Sequence, residues 1–356
     1  MTTYPSWEEI RRDAWPDSLA AVGVPMIDPE QPSFMGRPLA TTAADLAGAD
    51  VAIVGAPFVA GVDSYAGLPR DEWIAGPKRV RQQSVLYGSG YLQDFDIDVF
   101  EHLNVVDYGD ADVSIRELTA ESILGAQARV EEKVRDVLSA GAIPIVIGQN
   151  SPCGSFAIAK PVSERTSGPV GMISLDTHWD AEAVDELTGD PRIAGHANWK
   201  SKTYELLDNF DLANLVEIGE RGPIESKDRV RELLAGGVHF YPMWDVRTRL
   251  GIDGLCAELG HAYEGTDAVY VHFDMDVLGG AGPTPGDVLG ELAEPIGMTD
   301  YEVIRIAHEI GRRGLTAMSF ICIPPGSKVG YRVIVYVIMY LLAGLAQTRL
   351  NAGDER

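Results

Sequence analysis

Residues 119–148 read TAESILGAQARVEEKVRDVLSAGAIPIVIG, and this stretch indicates the fold class. Its first part is amphipathic with a helical period, and the predicted helix begins at Thr119 as N-cap and ends at Gly141. The apolar run at 143–148 then ends in glycine, which is the profile of a strand buried on both faces of a sheet. A long helix that leads directly into such a strand is typical of a parallel α/β sheet.

The same alternation recurs along the 356 residues of the chain. Seven further segments predict strands: ADVAIVGAPF (49–58), NVVDYGDADV (104–113), VGMISLD (170–176), LANLVEIG (212–219), HFYPM (239–243), AVYVHFD (268–274) and LTAMSFICIPP (315–325). The predicted fold class is therefore α/β, a three-layer α-β-α arrangement with a mostly parallel sheet of about eight strands. Because no linker or repeat divides the chain, we predict a single domain over residues 1–356, with an irregular N-terminal arm over 1–48.

Composition excludes some partners. The chain has 53 acidic and 29 basic residues, a formal net charge of −24. Nucleic acid is an unsuitable partner, because binding it needs a concentrated basic surface. A cationic small molecule or metal cations suit this charge better, although an acidic surface that only keeps a protein soluble has the same composition.

Cysteine usage and hydropathy bear on location. The three cysteines are widely spaced and form no CxxC pair, which indicates a reducing cytoplasm. The polar N-terminus is not a signal peptide. The most apolar run, VIVYVIMYLLAGLA at 333–346, is shorter than the roughly 20 residues that span a bilayer. We therefore expect a buried helix there, no membrane association and a cytoplasmic location.

Two acidic motifs follow predicted strands. Asp176, His178 and Asp180 lie in SLDTHWDA, and Asp274 and Asp276 lie in HFDMDVL. Alternate residues of an extended segment share a face, so these side chains can converge at the carboxyl ends of parallel strands. Buried carboxylates that lie together repel each other unless cations join them. Oxygen ligands with one imidazole suit Mn²⁺, and a further imidazole would favour Ni²⁺ or Co²⁺. The alternative is that the acids only cap strand ends at the surface.

With these motifs the chain resembles the ureohydrolases, the family of arginase and agmatinase, from about residue 50 to the end. The segments AGPKRVRQQS (75–84), VVDYGDADV (105–113) and ELAEPIGMTDYE (291–302) support the resemblance. The resemblance implies a parallel α/β sheet and a dinuclear Mn²⁺, sometimes Ni²⁺, centre. In that family a metal-bound hydroxide attacks a guanidinium carbon and releases urea and an amine.

The resemblance also implies roles for the motif residues. By position, Asp176 and Asp274 would bridge two metal ions. His178 and Asp276 would complete the coordination of one ion, and Asp180 that of the other.

His196, in AGHANWK, lies where the family has a histidine near the substrate. The resemblance implies that it is catalytic and carries a proton to the leaving amine, and the alternative is a surface histidine in a loop. His239 and His272 fall within predicted strands, so we interpret them as structural.

Three departures from the family pattern stand out. The loop IVIGQNSPCG has Ser151, beside Asn150, where the family has a histidine ligand. Ile321, in SFICIPPGSK, occupies the place of a glutamate that pairs with the substrate's guanidinium. The segment GGAGPTPG at 279–286 is longer and richer in glycine than usual. One metal ligand and the substrate anchor are thus missing.

Two main hypotheses explain these departures, and a metal-free binding module is a third. In the first, which we favour, the chain is the degenerate or weakly metal-binding partner of a homologous catalytic subunit. The assembly, a trimer or hexamer, would hydrolyse a C–N bond of a guanidino, biguanide or amidine compound, as nickel-dependent metformin hydrolases with two unlike subunits do. In the second, the chain is a self-sufficient agmatinase-like or guanidinase-like hydrolase with an altered metal site.

Overall fold

The computed structural model describes residues 19–354 except 62, 66, 185–187, 223–224, 280–293 and 327. Within it the central sheet has eight strands: β1 Val51–Gly55, β2 Val105–Asp110, β3 Ile143–Ile147, β4 Val170–Leu175, β5 Phe210–Ile218, β6 His239–Tyr241, β7 Ala268–Asp274 and β8 Ala317–Ile321. Their order in space is β6-β5-β4-β7-β8-β3-β1-β2, and every neighbouring pair is parallel. The predicted α/β fold with about eight strands is confirmed.

Helices lie between the strands. Among the described residues after position 50, the α-helices are α1 Arg70–Ile74, α2 Gly76–Ser84, α3 Val99–His102, α4 Ala120–Ser139, α5 Ala157–Arg165, α6 Trp199–Leu206, α7 Lys227–Ala235, α8 Met243–Asp245, α9 Gly251–Glu258, α10 Asp300–Arg313 and α11 Lys328–Asp354. Thr119 caps α4 as predicted, because its side chain accepts a hydrogen bond from the backbone N–H of Ser122.

The alternation of side chains along each strand builds two cores. In β1, for example, Val51 and Ile53 join one cluster, which includes residues of α10 and α11. Ala52 and Val54 join the other, which includes residues of α4 and α5. A strand whose residues are all apolar is thus explained by burial on both faces of the sheet.

Sequence patterning missed α5, α6 and α7. A proline inside a helix removes a backbone donor, and α5 contains Pro161, so its segment does not have a helical profile. The buried residues of α6 include Lys200, Lys202 and Thr203, so its buried face has no apolar period. This helix supplies a residue of the candidate site described below.

The C-terminal apolar run is a buried helix, as predicted, but the expectation about its length is wrong. Helix α11 has 27 residues rather than the 14 of the apolar run, because the flanking polar residues are helical too. Residues Lys328–Ala352 are long and apolar enough to cross a membrane by length and composition, yet 72% of the most apolar window is buried inside the fold. A core helix has these properties as well.

The described part of the N-terminal arm packs against the sheet. Met26–Asp28 pairs antiparallel with Gln31–Pro32, and Phe34 and Met35 are fully buried. Leu39 forms an isolated bridge with Asp107 of β2. The division into a single domain and an arm stays a prediction, and the segment 280–286 of GGAGPTPG lies outside the described residues.

Candidate metal centre

The two acidic motifs meet at the carboxyl ends of adjacent strands. Strands β4 and β7 pair in a register that places Leu175 opposite Phe273. Asp274 ends β7, and Asp176 follows the last residue of β4, so the two carboxylates emerge side by side. Both side chains are buried, with residue exposures of 2% or less.

Tight turns, rather than extended chain, aim the motif side chains. Oδ1 of Asp176 accepts the backbone N–H of His178 at 2.9 Å, and Oδ1 of Asp274 accepts that of Asp276 at 2.8 Å. Asp180 has a left-handed φ of 47°. The spacing of two residues therefore reflects turns closed by aspartate side chains, not the alternation of a strand.

The predicted metal residues form two overlapping groups. In one, ligand atoms of Asp176, His178 and Asp276 lie within 4.8 Å of one another. In the other, those of Asp176, Asp180 and Asp274 do so. Asp176 is shared by both, and Nδ1 of His178 lies 3.1 Å from Oδ2 of Asp276.

The protonation of these groups reflects their crowding. Burial, then the charge of Asp176, raises the pKa of Asp180 well above its usual value. Burial and the charge of Asp276 do the same for Asp274. For His178, burial alone would lower the pKa, but the hydrogen bond and charge of Asp276 raise it to about 9. Without a cation, protons therefore stabilise this cluster.

Lys200 is a site residue that sequence reasoning missed. Its Nζ lies 3.1 Å from Oδ2 of Asp176, 3.0 Å from Oε1 of Glu217 and 3.2 Å from the carbonyl oxygen of His178. The side chains of Lys200, Asp176 and Glu217 are each at most 1% exposed. The one available signal was the acidic residue of β5 inside an otherwise apolar run, which implies a buried cation nearby.

A second glutamate lies just beyond β5. Glu220 is 3% exposed, and its Oε1 has no hydrogen-bond partner among the described residues. Burial, then the charge of Glu217, raises its pKa well above the usual value. Burial also raises the pKa of Glu217 to about 8, although the charge of Lys200 opposes this shift.

The loop at 148–154 is held by its own polar side chains. Gln149 bonds to both backbone groups of Ile323, donating to its oxygen at 3.1 Å and accepting its N–H at 2.8 Å. Asn150 accepts the N–H of Ala60 at 2.6 Å. Ser151 is 1% exposed, and its Oγ has no hydrogen-bond partner within the described chain. Gln149 and Asn150 thus fix the loop, and Ser151 offers one neutral oxygen.

At the end of β8 the structure distinguishes two neighbouring side chains. Ile321 is 1% exposed, and its Cγ2 lies where a side chain on Gly154 would be, 2.4 Å from the ideal Cβ position. Cys322 has a left-handed φ of 53°, and burial, followed by the charges of Asp274 and Asp276, raises the pKa of its thiol well above the usual value. Ile321 therefore packs beneath the loop, and Cys322, which sequence reasoning also missed, faces the carboxylates.

The remaining predicted site residue is His196. It lies in the loop between the first acidic motif and α6, four residues before Lys200, and is half-buried. Its catalytic role stays a prediction. His272 is fully buried, with Nε2 3.0 Å from Oγ of Ser155, in keeping with a structural role.

Comparisons with known proteins agree with this architecture. The sequence profile of the arginase family matches residues 49–342. The chain belongs to the arginase family. It is 26% identical over 301 residues to a protein named agmatinase from Chromobacterium violaceum, covering 82% of this chain and 81% of that protein. By family, the chain is therefore a homologue of the ureohydrolases.

Solved structures of family members have the same fold. The proclavaminate amidino hydrolase of Streptomyces clavuligerus superposes with a TM-score of 0.72 and 22% identity, covering 89% of this chain and 97% of that one. A Trypanosoma cruzi formiminoglutamase with Mn²⁺ has a TM-score of 0.70 and 22% identity, covering 89% and 99%. At these identities the likeness concerns the fold.

The donor set of this arginase-family chain fits one divalent ion better than two. The group with His178 combines an imidazole with two carboxylates, Asp176 and Asp276, a set that suits Mn²⁺ and similar ions. The group with Asp180 has carboxylates alone, and Ser151 adds no anionic or imidazole donor. The two groups of potential ligands therefore differ in the types of donor atom that they contain.

Proposed function

We propose that this chain is a cytoplasmic subunit of an assembly that hydrolyses a C–N bond of a guanidino, biguanide or amidine compound. In that assembly it is the degenerate, weakly metal-binding partner of a homologous catalytic subunit, in a trimer or hexamer. Membership of the arginase family supports the reaction class, because a relative named agmatinase and a neighbour named amidino hydrolase belong to it.

The observation that carries the proposal is the neutral hydroxyl of Ser151, which has no hydrogen-bond partner among the residues that the structure describes. It lies in the loop after β3, where the family resemblance implies an imidazole ligand. A serine hydroxyl is a poor substitute for imidazole in binding a divalent ion. The loop is held firmly by Gln149 and Asn150, so a ligand cannot be supplied from it by a small adjustment.

The second support is the absence of a countercharge for the substrate at Ile321. A buried apolar side chain offers nothing to a guanidinium group. Cys322, the neighbour that faces the carboxylates, carries no charge either, because burial and the charge of Asp274 raise its pKa well above the usual value. The hydroxyl of Ser151 in place of an imidazole, and the apolar side chain of Ile321 in place of a carboxylate, would both weaken catalysis by this chain and leave its fold intact.

An alternative is a self-sufficient agmatinase-like hydrolase. The observation in its favour is that the two three-residue groups are assembled around Asp176. A divalent ion, Mn²⁺ or Ni²⁺, held there would polarise the substrate's carbon and activate a water molecule. The ion would be held by Asp176, His178 and Asp276. The neighbouring carboxyl groups, those of Asp180 and Asp274, would stay protonated or hydrogen-bonded to protein donors. His196 would then pass a proton to the leaving amine.

The test compares the chain alone with the chain co-expressed with a homologue encoded beside it. Bound Mn²⁺ and Ni²⁺ are measured by elemental analysis, and turnover is measured on a panel of guanidino, biguanide and amidine compounds. We expect less than two ions per chain and no turnover alone, with turnover restored in the co-expressed assembly.

Two results would favour the alternative. The first is turnover by the isolated chain with two ions bound. The second is loss of assembly turnover when Asp276→Asn is introduced into this chain alone, since the chemistry would then take place here. Asp253→Asn is the matched control, because the Asp253 side chain is 86% exposed.

A further inference from the structure

Lys200 introduces a fixed positive charge into the carboxylate cluster. An ammonium group has three donor hydrogens, and Nζ of Lys200 has three acceptors, from Asp176, His178 and Glu217, at 3.0–3.2 Å. Its hydrogen-bonding capacity is therefore used in full. A group so engaged is a permanent cation of the site rather than a base or a nucleophile.

The position of Lys200 affects the residue that both metal groups share. Oδ2 of Asp176 accepts the ammonium, and Oδ1 accepts the backbone N–H of His178. Lone pairs remain on this carboxylate, but bridging two divalent ions would gather three cations around it. Repulsion between like charges at such separations is strong in a buried site.

Trp199, the residue before Lys200, also supplies a hydrogen-bond donor to a carboxylate of the cluster, that of Asp180. Nε1 of Trp199 donates to Oδ2 of Asp180 at 3.0 Å. Trp199 and Lys200 are the first two residues of α6, so one helix start supplies protein donors to Asp180 and Asp176 together. Both carboxylates that a second ion would need are thus already hydrogen-bonded to protein donors.

On the His178 side of the cluster, the cation nearby among the described residues is Arg221, and its Nη2 donates to the backbone oxygen of Asp276 at 2.9 Å rather than to the carboxylate. Oδ2 of Asp276 faces Nδ1 of His178 at 3.1 Å, and Oδ1 of Asp276 accepts the N–H of Thr177 at 3.1 Å. A cation held between these two side chains would displace no lysine or tryptophan donor from them.

We propose that Lys200 takes the place of one of the two ions, so that this chain binds a single divalent ion, at Asp176, His178 and Asp276. The inference rests on the proposed function only in treating these residues as ligands. In this view the binding of a single ion follows from Lys200 of α6 as well as from Ser151. The role of Glu217 is to hold the ammonium group of Lys200 in place.

The experiment measures Mn²⁺ stoichiometry and affinity by calorimetry and elemental analysis, with electron paramagnetic resonance to detect coupled Mn²⁺ pairs. Four full-length proteins are compared: wild type, Ser151→His, Ser151→His with Lys200→Met and Glu217→Gln, and Ser151→His with Lys202→Met. Lys202 is the matched control, because it is a buried lysine of the same helix whose Nζ bonds to Glu205 instead.

We expect one ion per wild-type chain, with the electron paramagnetic resonance spectrum of a single, uncoupled Mn²⁺ ion. Ser151→His should add a weak second site, and the triple variant should bind the second ion at least about tenfold more tightly, with a coupled spectrum. The Lys202→Met control should match Ser151→His alone.

Each other outcome contradicts the inference. Two ions in wild type, or equal second-ion affinity with and without Lys200, would overturn the role of the lysine and leave the ligand assignment standing. No ion in either wild type or Ser151→His would overturn the ligand assignment and the single-ion inference, whereas the proposed function, which requires only fewer than two ions per chain, would stand. If the triple variant does not fold, the wild-type stoichiometry still decides between one ion and two.

Discussion

Nδ1 of His178 lies 3.1 Å from Oδ2 of Asp276, although the two residues follow different strands. The pairing raises the pKa of His178 from 6.5 to about 9, against the lowering that burial alone would cause. The folded protein therefore binds this proton more tightly than the unfolded chain does. The resulting stability is complete below about pH 6.5 and is lost as pH rises through about 9.

The first prediction concerns the metal-free protein. Asp180 and Asp274 also have raised pKa values. The protons that they bind in the folded state therefore also add stability that is lost as pH rises. We expect the midpoint of thermal unfolding to fall between pH 6.5 and 9, and saturating Mn²⁺ to reduce this fall because the ion replaces the protons. A midpoint that rises over this range without metal would contradict the assignment.

The second prediction concerns Asp276→Asn. The amide keeps the shape of the side chain but removes the charge that raises the pKa of His178 and one anionic ligand. We expect Mn²⁺ affinity to fall at least about tenfold, and the pKa of His178, followed by NMR, to drop. Asp253→Asn at the surface should change neither quantity. An unchanged His178 pKa would mean that the ion pair does not form in solution.

The third prediction concerns Ser151→His. An imidazole at this position would add the donor type that the Asp180 side of the cluster lacks. We expect bound Mn²⁺ per chain to rise above the wild-type value at millimolar metal, as measured by elemental analysis after gel filtration. Ser114→His, at an exposed loop position, controls for metal bound by any added histidine. Equal metal in both variants would mean that residue 151 does not face the ion.

The fold was predictable because local signals agree with the tertiary structure. The strands β1, β4, β7 and β8 are apolar runs that are buried on both faces, and Thr119 caps its helix with the expected hydrogen bond. Helices α5 and α6 escaped prediction because Pro161 and the buried Lys200 break the patterns on which such predictions depend. There the tertiary contacts, not the local sequence, stabilise the helix.

The candidate site was predictable in its ligand types but not in its charge balance. Asp176, His178 and Asp276 occur in motifs with a fixed spacing, and turns closed by Asp176 and Asp274 explain that spacing. Lys200 and Glu217 are 17 residues apart and join only through the packing of α6 on β5. No periodicity in the sequence reports such a contact.

The fourth prediction tests a buried ion pair outside the site. Nε and Nη2 of Arg81 donate to Asp107 at 2.8 and 3.0 Å, and both side chains are fully buried. Asp107→Ala leaves the guanidinium without its main partner, so we expect a loss of about 3–5 kcal/mol in denaturant unfolding. Asp110→Ala should cost less, because the Asp110 side chain is 25% exposed. Equal losses for the two variants would contradict this ranking.

The last prediction concerns the crossing of α10 and α11, where two backbones touch. A Cβ on Gly344 would lie 2.4 Å from the carbonyl oxygen of His308, and one on Gly311 would lie 2.1 Å from that of Leu341. These contacts are backbone atoms and cannot rotate away. We expect Gly344→Ala to lower the free energy of unfolding by about 1–3 kcal/mol, because the helices must separate.

The matched control for the crossing is Gly125→Ala in α4. A Cβ there would meet only Nη1 of Arg129, at 3.7 Å, so the substitution adds helix propensity without a clash. It should raise the free energy of unfolding by up to about 1 kcal/mol. Urea unfolding of both variants gives the comparison directly. If Gly344→Ala is as stable as Gly125→Ala, the two helices do not pack at the observed distance, and the core that α11 forms against the sheet must be looser than described.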